Sequence, residues 1–311
     1  MIVDFTKLHG LGNDYLFIDG GAHPSLDAAG LAPSACDRHR GVGADGIIVY
    51  SVDPGSTHVV RMAIHNADGS DGGTCGNGLR CLGRLLARDG RIAGDRFTVV
   101  TSTGRFEVVL REDDLVEVDM GIPAFELGSI PAAIPRLDAE SIVVDRPLAD
   151  LGLETTGLPG EARLSLVSTG NPHAVVRMPG SCDRGRLDEL VRSVGPSFER
   201  HPWFPRRINL HLVSRPPTGP LLMSTWERGS GATQACGTGA CAVVVALQAV
   251  EPAAGEWTEI SLPGGSLEIA WAGGREEAVR QRGPAEEVFR GRLETTAGLA
   301  SRPRSGEDGG A

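Results

Sequence analysis

Two stretches decide how this chain is read: NADGSDGGTCGNGLRCLGRLLARD (66–89) and ERGSGATQACGTGACAVVVALQAV (227–250). Each opens on a polar residue, Asn66 or Glu227, and reaches a cysteine nine positions later, Cys75 or Cys236. Each cysteine begins a Cys-Gly-x-Gly segment, followed by a second cysteine, Cys81 or Cys241, and an apolar run. In the first run Leu79, Leu82, Leu85 and Leu86 fall at helical spacing, predicting a helix over 77–89; the second predicts one over about 238–250. Further upstream, Gly12-Asn13 and Gly170-Asn171 place an asparagine 62 and 65 residues before the two cysteines. Four matches in one order indicate two homologous halves.

Short β-branched runs surround these helices. Strands are predicted at 16–19, 46–50, 58–64, 96–100, 105–110 and 115–119, then at 165–167, 174–178, 209–213 and 221–226. A strand pair is expected around 262–265 and a last segment at 286–293. The fold class is therefore α+β with two pseudo-symmetric halves. Residues 1–125 form the first half, completed by a last strand at about 280–294, and 126–279 form the second. The Pro-, Leu- and Ala-rich stretch 123–160 reads as the crossover between them. The Gly-, Arg- and Ser-rich tail, 295–311, reads as disordered.

Composition narrows the partners. The 311 residues carry a formal charge of -10 with no basic run, which argues against nucleic acid or an anionic membrane. The longest apolar run, 240–250, is shorter than the roughly 20 residues a membrane helix needs, and no secretory signal opens the chain. Six cysteines are too sparse for a disulfide scaffold, so a cytoplasmic protein with reduced thiols is expected. Oligomeric state is left open, a homodimer being among the states allowed. Lys7 is the single lysine, so any Schiff-base chemistry would have to use it.

A cysteine flanked by glycines just before a helix meets free backbone N–H groups and the positive end of the helix dipole. That setting is expected to lower the thiol pKa and to bind a carboxylate, with glycine letting a ligand approach. Two such cysteines facing one cleft suit the inversion of a carbon centre: one thiolate removes a Cα proton while the opposite thiol protonates the other face. A lone cysteine before a helix is ordinarily structural, and it is the matching that lifts this pair out of that class. Cys81 and Cys241 read as core, and Cys36 and Cys182 as structural or incidental. Zinc is disfavoured because Cys-x-x-Cys and His-x-x-x-His spacings are missing, and no dinucleotide fingerprint is present. Neither metal nor cofactor is expected.

With KLHGLGNDY (7–15), HRGVGADG (39–46), GNPHAV (170–175), LPGGSLEI (262–269) and GPAEEVFRG (283–291), the chain resembles the diaminopimelate epimerases from about residue 4 to 293. The resemblance implies two similar domains, each a strand-rich barrel around a central helix, with the site in the cleft between. It implies interconversion of LL- and meso-diaminopimelate, with Cys75 and Cys236 as the acid–base pair and His173 and Glu227 tuning them. Asn13, Asn66, Asn171, Asn209 and Arg228 would hold the amino-acid substrate, and the backbone at Gly76-Asn77 and Gly237-Thr238 its carboxylate. Taken alone, Asn13 and Asn171 could simply make turns, His173 could be structural, and Glu227 and Arg228 could be a solvated pair. One departure stands out: the family's usual Gly-Glu-Thr is Gly231-Ala232-Thr233 here, removing a carboxylate four residues before Cys236. The strand at 279–283 is also more basic than usual. Two rivals remain: racemisation of another amino acid, such as histidine, by the same thiols, and a redox-switch or binding module built on the Cys pair. A disulfide joining Cys75 to Cys236 would inactivate the enzyme readings.

Overall fold

The structure, a computed structural model, describes residues 1–153, 157–252 and 256–295. The first cycle runs β1 (Ile2–Gly10), β2 (Asn13–Asp19), α1 (Ala28–Ala35), β3 (Gly46–Asp53), β4 (Ser56–Asn66), α2 (Gly76–Arg88), β5 (Arg96–Val100), β6 (Arg105–Leu110) and β7 (Val116–Asp119). The second begins with β8 (Arg146–Pro147), α3 (Leu148–Leu151), β9 (Arg163–Ser168), β10 (Pro172–Arg177), α4 (Arg184–Glu199) and β11 (Asn209–Ser214). It continues through β12 (Leu221–Glu227), β13 (Gly231–Ala232), α5 (Gly237–Gln248), β14 (Thr258–Leu262) and β15 (Gly265–Ala270) to β16 (Arg280–Gly283) and β17 (Glu286–Glu294).

The duplication is written in the pairings. β1–β2 is antiparallel, β2–β3 parallel, β3–β4 antiparallel, β4–β5 parallel, and β5–β6 and β6–β7 antiparallel. The series β9–β10, β10–β11, β11–β12, β12–β14, β14–β15 and β15–β16 repeats those orientations in the same order. The two series meet where β7 pairs with β16, and β17 returns to pair with β1. All the strands thus join into one hydrogen-bonded ladder.

Each series wraps a helix. The leucine face of α2 is buried against β1, β2, β6 and β7 and also touches β16 and β17. Helix α5 is buried on almost every side, as expected of a helix apolar all round, by β9, β10, β11, β15 and β16. One apolar cluster spans both helices, from Leu79 and Leu82 to Val243 and Val245, so the halves share a core. No helix among the described residues is long and apolar enough to cross a membrane.

Four segments depart from expectation. Helix α4, unread in the sequence, buries Leu187, Leu190, Val191, Val194 and Phe198 at helical spacing; Gly185, Gly195 and Pro196 obscured that period. The stretch 123–160 does more than cross over: Leu127, Ile130, Ile134, Val143, Leu148 and Leu153 are buried in a second core with α4. β1 and α1 were likewise unread. Of the tail 295–311, all but Thr295 lies outside the described residues.

The two cycles interlock at their turns. Leu11 (φ 57°) and Gly12 (φ 85°) make the left-handed two-residue turn between β1 and β2. The Gly264 backbone lies directly on it: a Cβ at Gly264 would overlap the Leu11 carbonyl oxygen and stand 3.1 Å from that of Gln234. Gly264→Ala should therefore cost about 1–3 kcal/mol of stability, as read from urea denaturation, because only backbone is available to move.

Candidate active site

Cys75 and Cys236 are the N-caps of α2 and α5, with near-identical extended backbones (φ −131°, ψ 119° and φ −125°, ψ 102°). Neither makes a side-chain cap bond, so each sulfur stands beside the free N–H groups of its helix. Glycine follows each cysteine because one side chain packs against both helix ends. The Gln281 carboxamide, on β16, would overlap a Cβ at Gly76 through Nε2 and approach one at Gly237 to 2.7 Å through Oε1. The two helix N-termini therefore lie on either side of a single amide.

The thiols are not lowered as the helix setting led one to expect. Burial pushes both up, Cys236 well above its ordinary range. Opposing burial at Cys75 are the Tyr15 hydroxyl and the N–H groups of Gly78 and Asn77. At Cys236 the Glu227 carboxylate adds to the rise, and its charge raises Cys75 too, so one carboxylate acts on both sulfurs. Glu227 is itself raised by burial, and it accepts from Thr233 Oγ1 at 2.5 Å. Thr238 Oγ1 lies 3.6 Å from Cys236 Sγ.

Around this pair the asparagines divide. Asn13 Oδ1 accepts from Cys75 Sγ (3.5 Å) and from Asn77 Nδ2 (3.2 Å), while its Nδ2 donates to Asp45 at 2.7 Å. Asn171 Oδ1 lies 2.7 Å from His173 Nε2. Asn209 is spent largely on backbone, donating to the Pro172 carbonyl (3.0 Å) and accepting from the Arg228 N–H (2.8 Å). Asn66 is exposed and bonds Ser70 Oγ at 3.0 Å, with no bond to the cysteine pair. Arg228 is exposed and donates to the Arg206 carbonyl at 3.2 Å. Ala232 is exposed on β13, paired with Trp226, while Thr233 supplies the hydroxyl that steadies Glu227. Lys7 is tied to Asp14 (2.8 Å) and the Gly43 carbonyl (2.5 Å).

A family model described as diaminopimelate epimerase matches residues 5–126 and 165–288. A diaminopimelate epimerase of Synechococcus sp. (strain JA-2-3B'a(2-13)) is 42% identical over 301 residues, spanning 95% of this chain and 99% of that protein. The chain belongs to the diaminopimelate epimerase family. It is an isomerase. The fold is shared more widely. A Bacillus anthracis phenazine biosynthesis protein of the PhzF family matches with TM-score 0.65 at 12% identity, covering 95% of this chain and 100% of that one. A hydroxyproline epimerase from Agrobacterium vitis matches with TM-score 0.64 at 17% identity, covering 96% and 94%.

Within this epimerase-family site, several polar residues went unread in the sequence. His173 Nδ1 lies 2.8 Å from His211 Nε2, and His211 Nδ1 lies 3.0 Å from Thr225 Oγ1. With Asn171 Oδ1 as acceptor at the far end, the protons run one way: Thr225 to His211, His211 to His173, His173 to Asn171. The His211 ring also fills the space where a Cβ on Gly239 would sit, beneath the first turn of α5. Glu199 of α4 is buried and accepts from Trp226 Nε1 (2.8 Å) and the Gly229 N–H (3.0 Å), anchoring the loop that carries Glu227 and Arg228. Tyr15, Arg80 and Gln281 complete the group. Cys81 and Cys241 are core, as read, and all six cysteines are free.

Burial drives His173 well down and His211 to about 3, so both rings stay neutral in the folded protein. An unfolded histidine titrates near about 6.5. Below that pH the unfolded chain binds protons the folded one does not, and stability falls with falling pH. The two rings together should give a slope of up to about 2.7 kcal/mol per pH unit. His211→Gln should remove about half of it, as measured by urea denaturation at a series of pH values from neutrality to mild acid.

Proposed function

We propose that the chain interconverts LL-2,6-diaminopimelate and its meso form by proton transfer between Cys75 and Cys236, without a cofactor, on the route to lysine and peptidoglycan precursors. The observation that carries this reading is the pair of cysteine-capped helix N-termini set on either side of one amide. A thiolate on one side takes the Cα proton, forming S–H as C–H breaks. The electron pair passes into the adjacent carboxylate, where helix N–H groups at Gly76-Asn77 and Gly237-Thr238 meet the growing charge. The opposite thiol then gives its proton to the other face of Cα, and the two sulfurs finish with exchanged protonation. Glu227, in contact with Cys236, biases that thiol. His173 holds Asn171 as a neutral donor. Asn66 and Arg228, exposed at the rim with Asn209 behind them, would receive the distal ammonium and carboxylate of the substrate.

The division into halves is assigned as 1–125 with 280–294, and 126–279. The setting is taken as cytoplasmic, in keeping with six free thiols. Ile2 on β1 and Val288 and Phe289 on β17 stay exposed on adjoining strands. Their apolar surface supports pairing with a second copy of the chain.

Incubation of LL-diaminopimelate with the reduced protein in deuterium oxide should put deuterium on Cα and yield the meso form. No exchange would overturn the reading, and faster turnover of a monocarboxylic amino acid would transfer it to another racemase activity. Cys75→Ser and Cys236→Ser should each lower turnover by about 10²–10⁴-fold while substrate still binds. Ligand binding unaffected by either substitution, in a protein that turns over no amino acid, would favour a binding or redox module. For the dimer, sedimentation velocity should give twice the chain mass, and Phe289→Glu should halve it.

A further inference from the structure

Arg80, one turn into α2, is completely buried. Its three hydrogen bonds all go to neutral acceptors: Asn77 Oδ1 (2.7 Å), Gln281 Oε1 (3.3 Å) and the Pro284 carbonyl (3.4 Å). Among the described residues no carboxylate pairs with it, and the ionisable groups whose charge would meet it are the sulfurs of Cys81 first, then Cys75 and Cys241. The strand beside it leaves room for the guanidinium at Gly10, whose Cβ position lies 3.0 Å from Nη2. A cation kept from water without a counter-charge is costly. A fold that builds a chamber for one must gain where negative charge appears.

The bonds show where that is. A guanidinium only donates, so Asn77 must turn Oδ1 towards Arg80 and Nδ2 towards Asn13. Asn13 then presents its oxygen to the Cys75 thiol. On the other side Gln281 must turn Oε1 towards Arg80, placing that oxygen at Gly237 and its Nε2 at Gly76. One buried cation thus sets the amide orientations at both helix ends. Resting on the two-thiol reading above, we propose that Arg80 is a positioning residue for proton transfer: its uncompensated charge, acting through space and against the Asn13 oxygen that holds Cys75 as a thiol, favours thiolate at Cys75 and an anion beside the helix N-termini. Gln281, on the strand left without a role by the sequence, is the group that ties it to both halves.

The test reads the thiol directly, through the pH dependence of Cys75 alkylation by iodoacetamide, with modified peptides mapped by mass spectrometry. Arg80→Met removes the charge. Gln281→Glu keeps the guanidinium but neutralises it. Gln281→Met removes the amide alone. The first two should move the alkylation midpoint up by about one pH unit and lower kcat by about tenfold or more, whereas Gln281→Met should leave the midpoint near wild type. If Arg80→Met does not fold, Gln281→Glu against Gln281→Met decides. A wild-type midpoint in Gln281→Glu, or an equal shift in both Gln281 variants, overturns the proposal, since charge would then not be the cause. Failure here is distinct from failure of the two-thiol reading, which shows instead as turnover retained by the Cys→Ser variants.

Discussion

Charge developing on a carboxylate beside a carbanion has to be met by positive potential already in place, and in the reading proposed above two helix N-termini supply it from opposite sides. Their spacing is governed by one amide, Gln281, which leaves room for nothing larger than hydrogen at Gly76 or Gly237. The cysteines cap the helices without bonding as caps, so the first N–H groups of α2 and α5 remain directed at the space between. Every other feature serves this arrangement. The hairpin turn at Leu11-Gly12 brings Asn13 to Cys75, the Gly264 turn closes over it, and α4 holds the Glu227 loop through Glu199.

Two opposing effects fix the resting state of the thiols. Helix N–H groups favour thiolate, burial favours thiol, and burial is the larger at both positions. A site that excludes water therefore keeps its acid–base pair protonated until something pulls one proton away. Glu227 stands against Cys236 for that transfer, its own pKa raised by burial and its carboxylate held by the Thr233 hydroxyl.

The parts legible in the sequence were those that repeat or alternate locally. The cysteine blocks, the strands at 96–100 and 105–110, and both central helices appear where their periods placed them, because local patterning sets them. Helix α4 was not legible, since two glycines and a proline interrupt a stripe that tertiary packing nevertheless buries. Of the candidate site, Cys75, Cys236, Asn13, Asn171 and Glu227 were marked by matched spacing, and His173 by the family resemblance. Gln281 and Arg80 were not marked. They meet across 201 positions of chain, and neither carries a local signature. His211 lies hidden in the same way, in a buried strand whose partner ring is 38 residues distant.

Duplication and divergence act on different levels here. The repeated pairing order makes the two helix ends equivalent in backbone, which is what a reaction with interchangeable proton donors requires. The side chains around them are not equivalent. Cys236 faces a carboxylate that raises it further, with a threonine hydroxyl and the Gly239 N–H opposed; Cys75 faces a phenol, an asparagine oxygen and two backbone N–H groups. Cys75 is thus the easier of the two to ionise. The two strand series meet at the β7–β16 pair, and a side chain reaching inward from it touches both helix ends at once. A substitution at that place meets both helix ends together. Gln281 occupies it, bonded to a cation that belongs to only one half.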